Sequence, residues 1–176
     1  MPSASRTSPR VAPVAPGTRP ELAELEARIR GARGRLSPLY QVLLNSPALA
    51  AGWEHLFTVI RQQTSVPPAL RELVILRVAV LNGAPYEFEA HVPHALAAGM
   101  TQKAIDGLRK NAVQAFEGTE KLVLQFTDAM TRELQVGDAL FEELRKLFDD
   151  KTLLELTATI AGYNMVSRFL IAMRIR

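Results

Sequence analysis

From Pro20 onward, hydrophobic residues recur at three- and four-residue intervals between prolines and glycines, a pattern that predicts helices throughout. Pro20 suits a first helical turn, and Leu22, Leu25 and Ile29 follow at helical spacing until Gly31 and Gly34 end the segment. Ser37-Pro38 and Ser46-Pro47 each combine an N-cap acceptor with a proline where its missing N–H costs nothing, predicting two more starts. In the second of these helices Leu49, Trp53, Leu56, Phe57 and Ile60 read as the apolar stripe, with Glu54, His55 and Arg61 off it and His55 solvated.

Pro67-Pro68 opens a helix whose run from Leu70 to Leu81 is apolar almost all round, broken only by Arg71, Glu72 and Arg77; such a helix belongs at the centre of the fold. Asn82-Gly83 stops it, Pro85 opens the next, Gly99 closes that one, and Thr101 caps a short helix to Arg109. Further helices are expected over about 120–132, 138–148 and 151–173. No stretch alternates at period two for long enough to make a strand, and no internal repeat is visible.

Composition narrows the picture. At 176 residues the chain suits one domain and buries about 70% of its unfolded surface. It has no cysteine, which excludes disulfides, thiolate metal sites and thiol redox chemistry. No apolar run reaches the roughly 18 residues that span a bilayer, so no membrane partner is expected. The net charge of +3 resides in residues 1–20, which hold Arg6, Arg10 and Arg19 without an acid; beyond them, 18 basic residues face all 18 acidic ones. No basic cluster of the kind that displaces counterions from phosphates exists there, which argues against nucleic acid as a partner.

Five of the eleven prolines also lie in residues 1–20, and the expected organisation is a disordered tail over 1–20 followed by a helical domain over 21–176. Pro13 and Pro16 break the only candidate signal-peptide core. An acid-free, Ser- and Arg-containing start has a weak likeness to a transit peptide but lacks an obvious amphipathic helix, and the expected location is the cytoplasm.

The densest group of ionisable residues is Tyr86-Glu87-Phe88-Glu89-Ala90-His91-Val92-Pro93-His94. At 100° per residue, Glu87, His91 and His94 share one helix face. Three readings remain open: an imidazole oriented by a carboxylate for acid–base work, a Glu-His-His metal site, or an exposed i,i+4 pair. Pro93 weighs against the metal, because a helix-interior proline bends the helix between the two histidines. Glu72 lies among Leu76 and Ala79 on the most apolar helix and needs a partner. The Asn82-Gly83-Ala84 connection folds the two helices into a hairpin that lets Glu72 approach this stripe; an arginine, Arg71 and Arg77 included, is the alternative partner.

The run Arg71-Glu72-Leu73-Val74-Ile75-Leu76-Arg77-Val78-Ala79, with Tyr86-Glu87-Phe88, His91, Ala98-Gly99-Met100-Thr101 and Ile105, resembles the carboxymuconolactone decarboxylase family. Ser37-Pro38-Leu39-Tyr40, Asn45-Ser46-Pro47, Gly52-Trp53, Gly162-Tyr163-Asn164-Met165-Val166 and Arg168-Phe169-Leu170 are similar to further segments of it, so the likeness covers most of the chain beyond residue 35. It implies an all-α, alkylhydroperoxidase-D-like bundle assembling as a homo-trimer or hexamer. In the peroxidase branch a glutamate is followed at +12 and +15 by cysteines and at +19 by histidine. Counted from Glu72, those positions hold Ala84, Glu87 and His91, so the redox cysteines are missing and the decarboxylase branch is implied.

The function that follows is a cofactor-free, metal-free decarboxylase acting on a carboxymuconolactone-type lactone or related keto acid. His91 is the expected proton donor, Glu87 its orienting group and Glu72 a second acid–base or hydrogen-bonding group. Arg77 is the first candidate for the substrate carboxylate, with Arg71 and Arg168 as alternatives, and Tyr86 a candidate for lining the pocket. A non-catalytic helical oligomerisation or ligand-binding module, or a related isomerase or hydrolase, is the competing expectation. The apolar faces of the Leu70–Leu81 helix and of a terminal helix bearing Leu153, Leu156, Ile160, Val166, Phe169 and Ile171 add to the expectation of a homo-oligomer.

Overall fold

A computed structural model describes residues 8–176. Among them nine α-helices and no strand occur, and the helices begin where the prolines and caps place them: α1 (Ala23–Arg33), α2 (Pro38–Leu43), α3 (Pro47–Gln62), α4 (Pro68–Leu81), α5 (Pro85–Ala97), α6 (Gln102–Arg109), α7 (Gly118–Arg132), α8 (Asp138–Arg145) and α9 (Asp150–Met173). Thr101 caps α6 through its hydroxyl, which accepts from the Ala104 amide at 3.2 Å. Ser37 and Ser46 occupy the expected N-cap positions, but neither side chain caps its helix; the proline at the first turn marks those starts. The helix expected to reach residue 148 ends at Arg145.

The chain groups into two compact units, residues up to Gln63 with Leu170–Arg176, and Thr64–Phe169. In the first, α1 and α2 pack on α3 around Ile29, Tyr40, Leu43, Trp53, Phe57 and Ile60. The α3 stripe differs from the sequence reading. Leu49 and Leu56 are exposed, while Glu54 is buried, accepting from Arg28 Nε at 2.9 Å and from the Thr58 hydroxyl at 2.8 Å. An arginine on α1 and a threonine one turn along offset the burial of a carboxylate that helical spacing alone assigned to solvent.

The expectation of a disordered 1–20 tail does not hold for residues 8–20, and residues 1–7 lie outside the described residues. The Arg10 amide donates to Met173 O and the Val14 amide to Gln41 O, each at 2.9 Å. Asn45 Nδ2 donates to Ala12 O at 2.8 Å, and the buried Glu26 carboxylate receives the Gly17 amide. Backbone pairing and the burial of Val14 supply what the proline-rich composition seemed to withhold.

In the second unit α4 is central, packed against α5, α6 and α7, and α7 carries α8 through the Phe126 and Phe141 rings at 6.2 Å. Leu73–Ala79 are all buried within this one chain, so the all-round apolar character of α4 gives no reason for a second copy. Arg77, the first candidate for a substrate carboxylate, is a brace. Its Nε and Nη2 donate to the two carboxylate oxygens of Asp128 on α7 at 2.6 Å each, and Nη1 donates to Asn111 Oδ1 at 2.5 Å. A guanidinium 1% exposed requires such partners, and with all three nitrogens engaged it is not the substrate clamp.

The turn from α4 to α5 sets the site. Gly83, at φ 64°, lets the Ala84 amide reach Ala79 O at 2.8 Å and its own amide reach Val80 O at 3.2 Å, the double closure that ends a helix and reverses the chain.

Val14→Ala should lower stability by about 1–2 kcal/mol through loss of buried methyl groups. Deleting residues 1–17, which also removes the Gly17–Glu26 clamp, should lower Tm by more than a few degrees. Calorimetry or thermal circular dichroism checks both, and an unchanged Tm on deletion would contradict the packed arrangement.

Candidate active site

The hairpin brings the α4 carboxylate to the α5 imidazole: Glu72 Oε2 lies 2.8 Å from His91 Nδ1, with Glu72 3% and His91 8% exposed. An ionised Glu72 accepts from an Nδ1–H, the tautomer that leaves Nε2 as the other ring nitrogen to take up or release a proton. The Tyr163 ring of α9 meets the imidazole edge-on at a centroid distance of 5.2 Å, and the His94 ring lies 5.6 Å away. Glu72, not Glu87, therefore orients His91. The helix continues through Pro93 to Ala97, and His94 is exposed.

Glu87 has another partner. The Ser167 hydroxyl, on α9, donates a hydrogen bond to Glu87 Oε2, while Glu87 Oε1 is buried without a hydrogen-bonding partner among the described residues. At 2% exposure, burial pushes this carboxyl up to about 8, against a smaller lowering by Ser167, so Glu87 is protonated at neutral pH. It shares a helix face with His91, as the spacing requires, but does not pair with it.

The two remaining arginine candidates separate clearly. Arg71 Nε lies 3.7 Å from Glu72 Oε1, and that buried nitrogen has no hydrogen-bonding partner among the described residues. Its guanidinium thus stands beside the Glu72–His91 pair. Arg168 is exposed and donates from Nη1 to Asn164 Oδ1 at 2.9 Å. Tyr86 is half-buried on the first turn of α5. Among the described residues no three His, Asp or Glu side chains are grouped to hold a metal ion.

Three residues without an assigned role in the sequence reading take part here. Asn164 Nδ2 donates to Thr131 Oγ1 at 2.9 Å, and its Oδ1 accepts from Asn82 at 3.0 Å, tying α9 to α7 and to the hairpin turn. Tyr163 and Ser167 lie one turn apart on α9 and reach the two site residues of α5, themselves one turn apart. Their i,i+4 spacing was visible, but nothing local tells which face of a long apolar helix meets α5.

The helical bundle has an alkylhydroperoxidase-D-like fold. A putative AhpD antioxidant defence protein of unknown function from Agrobacterium tumefaciens aligns with 76% of this chain and 93% of its own, at a TM-score of 0.69 and 21% identity. The debrominase Bmp8, solved with 2,3,4-tribromopyrrole, aligns with 93% of this chain and 89% of its own, at a TM-score of 0.78 and 20% identity. At such identities these likenesses establish the fold alone. Residues 47–129 match the model of the carboxymuconolactone decarboxylase family. The Bacillus subtilis (strain 168) protein YdfG, itself uncharacterized, is 28% identical over 115 residues, covering 64% of this chain and 78% of YdfG.

A carboxyl raised to about 8 when folded keeps its proton while an unfolded one loses it near 4.5, so the native state binds more protons between those values. Its contribution to stability is present below about 4.5 and is lost as pH rises through about 8. Glu87→Gln, which cannot ionise, should therefore gain Tm relative to the wild type between pH 5 and 8, by up to a few kcal/mol in stability terms. Parallel melting curves across that range check the sign.

Proposed function

We propose that the protein is a decarboxylase-like acid–base enzyme acting on a carboxymuconolactone-type lactone or a related keto acid. The observation that carries this reading is the buried Glu72–His91 pair at 2.8 Å, flanked by an arginine whose Nε has no hydrogen-bonding partner among the described residues. In the reaction the bond to the substrate carboxylate breaks and CO2 leaves. Its electron pair passes into the unsaturated ring or carbonyl as a dienolate or enolate, so the substrate supplies its own electron sink.

His91, protonated at Nε2, delivers a proton to carbon, and Glu72 stabilises the imidazolium and holds its orientation. Arg71 replaces Arg77 as the group that positions a substrate carboxylate, because Arg77 is committed to Asp128 and Asn111. The chain has no cysteine, so thiol-dependent peroxide reduction is outside its chemistry.

CO2 release from a panel of unsaturated lactones and keto acids tests the proposal, and a panel without turnover would overturn it. On a substrate found this way, His91→Asn should reduce kcat by about 10²–10⁴. Glu72→Gln should cost less, and the double variant should be little worse than His91→Asn, since an orienting group has no role once its imidazole is gone. Arg71→Ala should raise KM by at least tenfold with a smaller change in kcat, whereas equal losses in kcat and kcat/KM would show a role confined to the transition state.

A further inference from the structure

Decarboxylation leaves negative charge on an oxygen, and neither His91 nor Arg71 is assigned to it. Apart from Arg71, which is assigned to the substrate carboxylate, Glu87 is the group of the site that has a buried polar atom without a hydrogen-bonding partner among the described residues. Its Oε2 is held by the Ser167 hydroxyl of α9, and its Oε1 is buried with no hydrogen-bonding partner among the described residues. An unpaired polar atom in so dry a place is costly unless function retains it. Position agrees with chemistry, since Glu87 precedes His91 by one helical turn on the same face of α5.

We infer that Glu87 is the oxyanion-binding group of this site, its carboxylic acid donating a hydrogen bond from Oε1 to the dienolate or enolate oxygen while Ser167 fixes Oε2. This rests on the decarboxylase reading above. As the carbon–carboxylate bond breaks, the electron pair moves onto the carbonyl oxygen. That oxygen accepts from Oε1–H without taking the proton, CO2 departs, and the pair returns to carbon as His91 Nε2 gives up its proton. Stabilising a charge only as it develops is the most effective use of a fixed donor.

The inference also accounts for a carboxyl that keeps its proton at neutral pH. Charged and titratable groups on these elements include Arg71, Glu72 and Arg77 on α4, Tyr86, Glu89, His91 and His94 on α5, and Tyr163 and Arg168 on α9. None is paired with Glu87, and burial sets its protonation.

Two measurements test this on the intact protein. On a turned-over substrate, Glu87→Gln, which keeps a neutral donor, should lose threefold to tenfold in kcat, while Glu87→Ala should lose about 10²–10³. Independently of turnover, 4-nitrophenolate, a stable oxyanion read by its absorbance, should bind the wild type and Glu87→Gln at least tenfold more tightly than Glu87→Ala. Its wild-type affinity should decline above pH 8 while that of Glu87→Gln does not. Circular dichroism and melting curves confirm that each variant is folded, and Glu87→Gln decides the matter should Glu87→Ala fail to fold. Phenolate binding with this dependence but no CO2 release from any substrate would sink the decarboxylase reading and keep the oxyanion site. Equal binding by all three proteins, no binding by the wild type, or a decline of phenolate affinity above pH 8 that persists in Glu87→Gln would overturn the inference.

Discussion

A carboxylate on the most apolar helix of a protein must be met by a partner, and in this chain the partner is an imidazole. Glu72 and His91 stand 19 positions apart in sequence and 2.8 Å apart in space. Only an antiparallel hairpin with the right offset brings them together, and the offset is set where Gly83 turns the chain between α4 and α5. With that register fixed, Glu87 falls one turn before His91, and α9 meets both through Ser167 and Tyr163. Asn164 then holds α9 in place by binding the hairpin turn and α7 at once. The site therefore depends on one ion-pair geometry that the local fold repeats and reinforces.

Two arginines on α4 show how burial sorts like residues into unlike roles. Arg77 is 1% exposed and engages each of its three nitrogens with Asp128 or Asn111. The cost of burying its charge is offset by bidentate pairing, which joins α4 to α7 and commits the guanidinium to a bracing role. Arg71, one residue before Glu72, has only a carboxylate oxygen at 3.7 Å, too distant for a hydrogen bond. A guanidinium so placed retains the capacity to bind a second carboxylate, and the first already belongs to the Glu72–His91 pair.

Most helix boundaries were legible because proline and glycine mark them with backbone geometry that no neighbour alters: Pro38, Pro47, Pro68 and Pro85 open α2 to α5, and Gly83 reverses the chain. The approach of Glu72 to the Glu87–His91 stripe was legible from the hairpin, but which carboxylate pairs with His91 was not. An i,i+4 rule joined Glu87 to His91, whereas tertiary packing presented a better acceptor from α4 and a hydroxyl from α9. Arg77 was misread for the same reason, since Asp128 and Asn111 lie 51 and 34 positions away. Residues 8–20 were misread because composition counts prolines and charges, while a few backbone hydrogen bonds and one buried valine suffice to hold an extended segment.

The two carboxyls of the site are chemically unequal although both are buried on facing helices. Glu72 faces a base that can share a proton, and Glu87 faces a hydroxyl and an otherwise empty hydrogen-bonding position. In the proposed reaction the first arrangement moves a proton and the second keeps one in place. The peroxidase branch that the sequence resembles would have a thiol where Glu87 stands. A carboxylic acid at that position keeps the histidine and its glutamate while offering a hydrogen-bond donor instead of a nucleophile. Under the proposed function, that exchange would turn the same helix pair from attacking a substrate atom to stabilising charge that the substrate itself develops.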